Sequence, residues 1–134
     1  MGSEFTFYDF LEAGVTNEVN QWLHGPGSKA RAKLNQIIAN LEGMRPPWPP
    51  KPWRELTERG SEDLYEVRCE IDKVQYRLIA FRGPMDRTVT LTMGVVHKDN
   101  HWIPSNYVSV SQHRRELIFS SQNPTQYQKE HDDG

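Results

Sequence analysis

The sequence from Leu64 to Lys98 decides the fold: LYEVRCEI (64–71), DK (72–73), VQYRLIAF (74–81), RGPMD (82–86) and RTVTLTMGVVHK (87–98). Each long run alternates residue classes with a period of two and is rich in β-branched and aromatic residues, a pattern typical of half-buried strands. Short connections favour antiparallel neighbours. We therefore predict three antiparallel strands, and the function of each side chain depends on the face of the sheet that it occupies.

The first two runs fit together as a hairpin. If Asp72 and Lys73 form its turn, Ile71 lies opposite Val74. One face is then apolar, and its further pairs are Cys69 with Tyr76, Val67 with Leu78, and Tyr65 with Ala80. The other face is polar, and its pairs are Arg68 with Arg77, and Glu70 with Gln75. A one-residue slip would mix the two faces, so the apolar match predicts this register.

The second hairpin is predicted to turn through a four-residue loop, Gly83–Asp86, which places Arg82 opposite Arg87. The apolar face then continues with the pairs Leu78–Leu91, Tyr76–Met93 and Val74–Val95. Arg77 lies opposite Thr92 on the polar face, and alternation along the strand adds Lys98 to that face. The prediction is a cationic groove formed by Arg68, Arg77 and Lys98.

Two arginines directly opposite each other on one face repel, at a cost of roughly 1 kcal/mol if nothing separates them. Glu66 and Glu70 are predicted on the same face and could neutralise both arginines within the sheet. A bound polyanion is the other possibility, because guanidinium groups match the geometry of phosphate. The pattern alone favours the internal salt bridges, because charged strand faces are usually solvated faces that bind no ligand.

We predict that residues 6–119 of this 134-residue chain form one domain. Residues 1–5 look like a cloning remnant, and residues 120–134 are polar and predicted to be disordered. No segment is long and apolar enough to span a membrane, and the single cysteine, Cys69, fits a reducing cytoplasm. Residues 24–119 carry fifteen Lys and Arg against eleven Asp and Glu, an excess that permits a nucleic-acid partner.

The segment before the predicted sheet has the features of two helices. Residues 6–11, before these helices, suggest an edge strand. Thr16 is a candidate N-cap for a short helix, and Ser28 is a candidate N-cap for a longer helix that ends at Gly43. The proline-rich segment 45–53 then predicts an extended connector that lays Trp48 and Trp53 over the core. A proline-motif ligand for another protein is the alternative for this segment.

The segment after the predicted sheet is expected to end the domain with a helix. Residues 98–102 read as a polar loop, and residues 106–119 as a C-terminal helix, with a fourth strand over 107–110 as the competing interpretation. The predicted fold class is therefore α+β, with N-terminal helices packed on a small twisted antiparallel sheet and a C-terminal helix.

Three sequence segments carry a resemblance: Leu64-Tyr-Glu-Val-Arg68, Tyr76-Arg-Leu-Ile79 and Gly94-x-x-His-Lys98, preceded by two helices and followed by one. In this order they resemble the RelE/HigB toxin superfamily, in particular its phage-derived Gp49-like branch, over roughly residues 19–119. The resemblance implies a RelE-like fold and the toxin of a toxin–antitoxin pair. It further implies a cytoplasmic endoribonuclease that cleaves mRNA on the ribosome and is neutralised by a cognate, commonly helix-turn-helix, antitoxin.

The same resemblance implies roles for individual residues. Arg68 corresponds to a basic strand residue that contacts RNA phosphate, Arg77 to the arginine at the scissile phosphate, and Lys98 to the basic residue that ends the last strand. Tyr107 is the counterpart of a tyrosine in the terminal helix. The predicted RNA-contacting residues are Lys51, Arg54, Thr92 and Arg114.

The implied chemistry requires no metal or cofactor, because RNA supplies its own nucleophile, the 2′-hydroxyl. The protein must align that hydroxyl with the phosphorus, accept a proton and stabilise the charge that develops on the phosphate. His101 and His97 are the candidate bases, ahead of Glu70, which is expected to be ionised beside Arg68. The rival hypothesis is a non-catalytic module of this fold that binds nucleic acid or a protein partner.

Overall fold

The computed structural model describes residues 4–120 and 126–128. Within them the elements are the strands β1 (Thr6–Phe10), β2 (Trp53–Glu55), β3 (Leu64–Ile71), β4 (Val74–Arg82), β5 (Thr88–Lys98), β6 (His101–Ile103) and β7 (Gln126–Gln128), with the helices α1 (Glu18–Leu23), α2 (Arg31–Glu42) and α3 (Tyr107–Ser120). The strand order is β2-β3-β4-β5-β1-β7, and β6 pairs with β5. The fold class is thus α+β, as predicted.

The sheet is mixed rather than antiparallel, because β1 runs parallel to β5. The prediction of an edge strand over residues 6–11 is also wrong, since β7 pairs with β1 on its other side. β7 falls within the predicted disordered tail, so that prediction fails for Gln126–Gln128. The rest of the tail beyond Ser120 lies outside the described residues, as do residues 1–3 of the predicted cloning remnant.

The register of the β3–β4 hairpin is confirmed along its whole length. Ile71 pairs with Val74, Val67 with Leu78, and Arg68 with Arg77. Asp72 and Lys73 both have positive φ, 52° and 68°, which is the conformation that a two-residue hairpin turn requires. Apolar matching across the pair was therefore enough to fix this register despite a turn without glycine.

The predicted register of the β4–β5 hairpin is wrong. Arg77 pairs with Val95 rather than Thr92, and the register shifts at a bulge between Ile79 and Ala80. Thr92 is the extra residue of β5, because Ile79 pairs with Met93 while Ala80 pairs with Leu91. A bulge of this kind exchanges the two faces for the rest of the strand. Met93 and Val95 therefore leave the predicted apolar face, and Gly94, Val96 and Lys98 join it.

Each face of the sheet is covered by helices and has a hydrophobic core. The first face packs against α1, α2 and the proline-rich segment; its buried residues include Leu34, Ile38, Trp48, Trp53, Leu78 and Leu91. The second face packs against α3; its buried residues include Phe10, Ile79, Phe81, Met93, Val95 and Ile118. The expectation of an open polar second face is therefore wrong: the apolar side chains that the bulge turns toward α3 bury it.

The ends of the helices lie close to the predicted positions. Asn17, not Thr16, caps α1, and its side chain accepts a hydrogen bond from the backbone N–H of Asn20. A single 3₁₀ turn over Ser28–Ala30 precedes α2, so Ser28 is not its N-cap, while Gly43 is its C-cap as predicted. The C-terminal helix is confirmed against the competing strand.

Both connecting segments contribute to the core or the sheet. Trp48 and Trp53 pack edge to face with ring centroids 4.8 Å apart, which bears out the connector interpretation of the proline-rich segment. The predicted polar loop at 98–102 is instead a hairpin, since Lys98 pairs with His101 and His97 with Trp102. Asp99 and Asn100 form its turn with φ of 52° and 64°.

Candidate nucleic-acid interface

Arg68 and Arg77 lie directly opposite each other on β3 and β4, as predicted, but their surroundings differ. Arg77 is on an inner strand and only 4% exposed. Arg68 is half-buried, on the part of β3 that continues beyond the last β2 pair at Val67. The two arginines therefore cannot act alike: one is enclosed by protein and the other faces an open cleft.

Arg77 is held by a carboxylate and an aromatic ring. Its Nη1 lies 2.8 Å from Oε1 of Glu66, which is fully buried, and its Nη2 donates a hydrogen bond to Oε1 of Gln75. The guanidinium carbon is 4.3 Å from the ring centroid of Trp102. Burial lowers the pKa of Arg77, and the charge of Glu66 opposes that shift. At Arg77, the repulsion between the two opposed arginines is therefore offset by an ion pair within the fold.

An aromatic stack extends from this ion pair to α3. The Trp102 ring lies 4.3 Å from His97 at an interplanar angle of 9°, and 4.7 Å from Tyr107 at 20°. The Tyr107 hydroxyl donates a 2.9 Å hydrogen bond to Oε2 of Glu58, and burial together with that carboxylate raises the pKa of Tyr107. Nδ1 of His97 is buried and has no hydrogen-bond partner among the described residues. This arrangement brings three of the candidate catalytic residues, Arg77, His97 and Tyr107, together around a tryptophan, whereas the predicted β4–β5 register would have placed His97 on the opposite face from Arg77.

Lys98 and His101 lie on the other face of the sheet. Val96 pairs with Tyr76 on the first face, and Lys98, two residues further along β5, shares that face with its partner His101. Both are exposed. The predicted groove of Arg68, Arg77 and Lys98 is therefore not formed, because the bulge at Thr92 moves the end of β5 to the opposite side.

Two of the predicted RNA-contacting residues are structural. Thr92 is fully buried, and its hydroxyl donates a 3.0 Å hydrogen bond to the carbonyl of Ile79. Arg114 is 8% exposed and pairs through Nη2 with Glu18 at 2.6 Å and Glu12 at 3.2 Å. Neither side chain is accessible to RNA in this arrangement, so both assignments are corrected.

The other two, Lys51 and Arg54, are exposed near the β3 edge. Arg54 lies 3.2 Å from Oε2 of Glu66, so its charge is already opposed. Nε of Arg68 donates a 2.9 Å hydrogen bond to the carbonyl of Lys51, and the Arg68 backbone N–H donates to the carbonyl of Pro52 at 3.0 Å. The backbone bond holds β3 against the proline-rich segment, and the Nε bond orients the Arg68 side chain along the rim of a cleft.

This cleft, which we call the β3-edge cleft, has a volume of about 520 Å³. Its lining residues are Lys33, Ile37, Lys51, Pro52, Arg68, Cys69, Glu70 and Gln75. Lys33, Lys51 and Arg68 form no ion pair within the described part of the chain. Three cations against the single acid Glu70 make the cleft suited to an anion.

Sequence reasoning missed Lys33, Trp102 and Glu58 as members of these sites. Recognition of Asp99-Asn100 as a hairpin turn would have placed Trp102 opposite His97. The approach of Lys33 to Arg68, and of Glu58 to Tyr107, depends on how a helix and a loop pack on the sheet. Spacing along the chain gives no signal for either contact.

In residues 4–120 and 126–128, no group of His, Cys, Asp and Glu side chains could hold a metal ion. Over the same residues, no helix has the length and apolar character needed to cross a bilayer. Comparison with protein-family models, with curated proteins and with solved structures finds no match to this chain.

Proposed function

We propose that this chain is a toxin of the RelE/HigB type, a cytoplasmic endoribonuclease that cleaves mRNA on the ribosome and is neutralised by a helix-turn-helix antitoxin. The observation that carries the proposal is the pairing of Arg68 with Arg77, within an element order that agrees with the resemblance. Two N-terminal helices, the antiparallel β3–β4–β5 unit and a C-terminal helix follow one another in that order. The pairing requires the predicted register of β3 and β4, which the motif spacing alone did not guarantee.

In this proposal the RNA 2′-hydroxyl attacks the adjacent phosphorus, the bond to the 5′-oxygen breaks, and a 2′,3′-cyclic phosphate and a 5′-hydroxyl result. Arg68 contacts the phosphate, because its side chain is half-exposed and oriented by the carbonyl of Lys51. Arg77 adds positive charge beside Arg68 from the enclosed side, where Glu66 and Trp102 hold the Arg77 guanidinium. His97 is the candidate base, since it lies on the same face of the sheet as Arg68 and Arg77.

A second candidate function is a non-catalytic RNA-binding module. It is favoured by the enclosure of Arg77, whose guanidinium is paired with Glu66, and by the position of Lys98 on the opposite face. In this case the exposed cations bind the RNA backbone, and no group of the chain is aligned with a reacting phosphate.

The test is cleavage of mRNA by the purified protein on programmed, translating ribosomes, read as new 5′-hydroxyl ends. We expect cleavage by the wild-type protein and a loss of about 10²-fold or more in Arg68→Ala, as for other groups that stabilise developing charge. Arg87→Ala removes an exposed arginine at the remote β4–β5 turn and is the matched control, expected to cleave normally. RNA binding without cleavage by the wild-type protein would overturn the toxin proposal and leave the second candidate.

A further inference from the structure

The β3-edge cleft joins elements from three parts of the chain. Lys33 and Ile37 come from α2, Lys51 and Pro52 from the proline-rich segment, and the remaining lining residues from β3 and β4. The cleft exists because β2 pairs with β3 only as far as Val67, while β3 continues to Ile71. Beyond the Arg68 backbone N–H, which donates to the carbonyl of Pro52, the last residues of β3 pair with β4 on one side and with no described strand on the other.

The three cations differ from the other basic groups at this end of the sheet. Arg54 and Arg77 share the carboxylate of Glu66. Lys33, Lys51 and Arg68 have no carboxylate within ion-pair distance in the described part of the chain, although Glu70 lies on the rim. Their charge is available to a ligand, whereas that of Arg54 and Arg77 is opposed within the fold.

Arg68 is positioned in advance. Its Nε is engaged with the carbonyl of Lys51 at 2.9 Å, and its terminal nitrogens have no hydrogen-bond partner among the described residues. A guanidinium held in this way presents two parallel N–H groups, which match two phosphate oxygens. Little side-chain entropy remains to be lost when it binds.

The walls of the cleft suit a nucleotide better than a bare ion. Ile37 and Cys69 provide an apolar side, and Lys33 lies in the same cleft. Burial raises the pKa of the Cys69 thiol, and the charge of Lys33 opposes that shift. Gln75 accepts a hydrogen bond from Arg77 through its carbonyl oxygen, so its amide N–H groups remain for a base or sugar. A volume of about 520 Å³ lies within the range of small-ligand sites.

We propose that a single strand of RNA passes around the open edge of β3, with one phosphate held between Lys33, Lys51 and Arg68. The inference rests on RNA as the ligand in the proposed function, but not on cleavage. It places α2 and the proline-rich segment in the RNA-binding surface. The strand reaches the sheet from its open edge at Arg68, because the apolar part of the face beneath α3 is filled by side chains.

The experiment measures binding of a short fluorescent single-stranded RNA whose 2′-hydroxyls are all methylated, so that it cannot be cleaved. Fluorescence anisotropy is recorded between about 50 and 200 mM salt. We expect Lys33→Ala/Lys51→Ala to weaken binding about tenfold or more, and its salt dependence to fall by about 0.7 in logarithmic slope for each phosphate that the variant no longer neutralises. Arg59→Ala, which removes an exposed cation beside α3, is the matched control and is expected to bind as the wild type.

Three outcomes would overturn the inference. The double variant and wild type bind equally, or a mononucleotide displaces the RNA at equal phosphate concentration, or a poly-glutamate peptide competes as well as unlabelled RNA. These outcomes are separate from failure of the proposed function. If ribosomal cleavage persists in the double variant and RNA binding is unchanged, the RNA-binding role of the β3-edge cleft is rejected and the toxin proposal is retained. If the double variant loses RNA binding and neither the wild type nor any variant cleaves mRNA, the RNA-binding role of the β3-edge cleft is retained and the toxin proposal is rejected.

Discussion

The two faces of the sheet are buried by different means. The first face is covered by aliphatic and aromatic side chains from α1, α2 and the proline-rich segment. The second face buries two arginines as well, Arg77 with Glu66 and Arg114 with Glu12 and Glu18. Shape and apolar area suffice on the first face, while the second also needs a carboxylate for each cation. The comparison shows that a strand face that looks polar in sequence can be internal.

The largest expected effect comes from unpairing the charge beneath α3. Glu66→Ala leaves the buried side chain of Arg77 without its carboxylate, and an uncompensated buried charge costs about 3–5 kcal/mol. Glu70→Ala is the matched control, because that carboxylate is exposed on the same strand and forms no described ion pair. Urea unfolding measures the free energy of unfolding of both variants. Equal stability of the two variants would mean that Arg77 reaches solvent and that the second face is open.

A smaller effect is expected from a steric change on the first face. A Cβ at Gly94 would overlap the indole ring of Trp22, which lies against the strand there. Gly94→Ala must therefore displace the ring, and overpacking of this kind costs about 1–3 kcal/mol. Gly43→Ala, where an added Cβ meets only ordinary contacts, is the control. Urea unfolding measures both, and an unchanged stability for Gly94→Ala would place Trp22 elsewhere.

The same contrast explains what the sequence could and could not predict. Apolar matching predicts the β3–β4 register, since any slip would expose Val67 or Leu78. It cannot predict β4–β5, because Leu91, Met93 and Val95 are apolar and both faces accept them. Periodicity does not reveal the extra residue at Thr92, whose hydroxyl reaches a backbone carbonyl within the bulge.

The candidate site was predictable only where it depends on the first hairpin. The pairing of Arg68 with Arg77 follows from the β3–β4 register. The assignment of Lys98 fails with the second register, and those of Thr92 and Arg114 fail because α3 covers the face. Sequence patterning cannot distinguish a solvated charged face from an internal ion pair, since both place the same residues on alternate positions of a strand.

The smallest expected effect concerns a single hydrogen bond at the base of α3. Tyr107→Phe removes the bond to Glu58 and is expected to cost about 0.5–1.5 kcal/mol at neutral pH. Above the ordinary tyrosine pKa, near pH 10, the unfolded chain loses the Tyr107 proton while the folded chain keeps it, because the folded pKa is raised. The stability of the wild type should therefore fall by about 1.4 kcal/mol more per pH unit than that of Tyr107→Phe. Urea unfolding between pH 7 and 11.5 gives both slopes, and parallel curves would show that the Tyr107 hydroxyl is open to solvent and that α3 does not seal the second face.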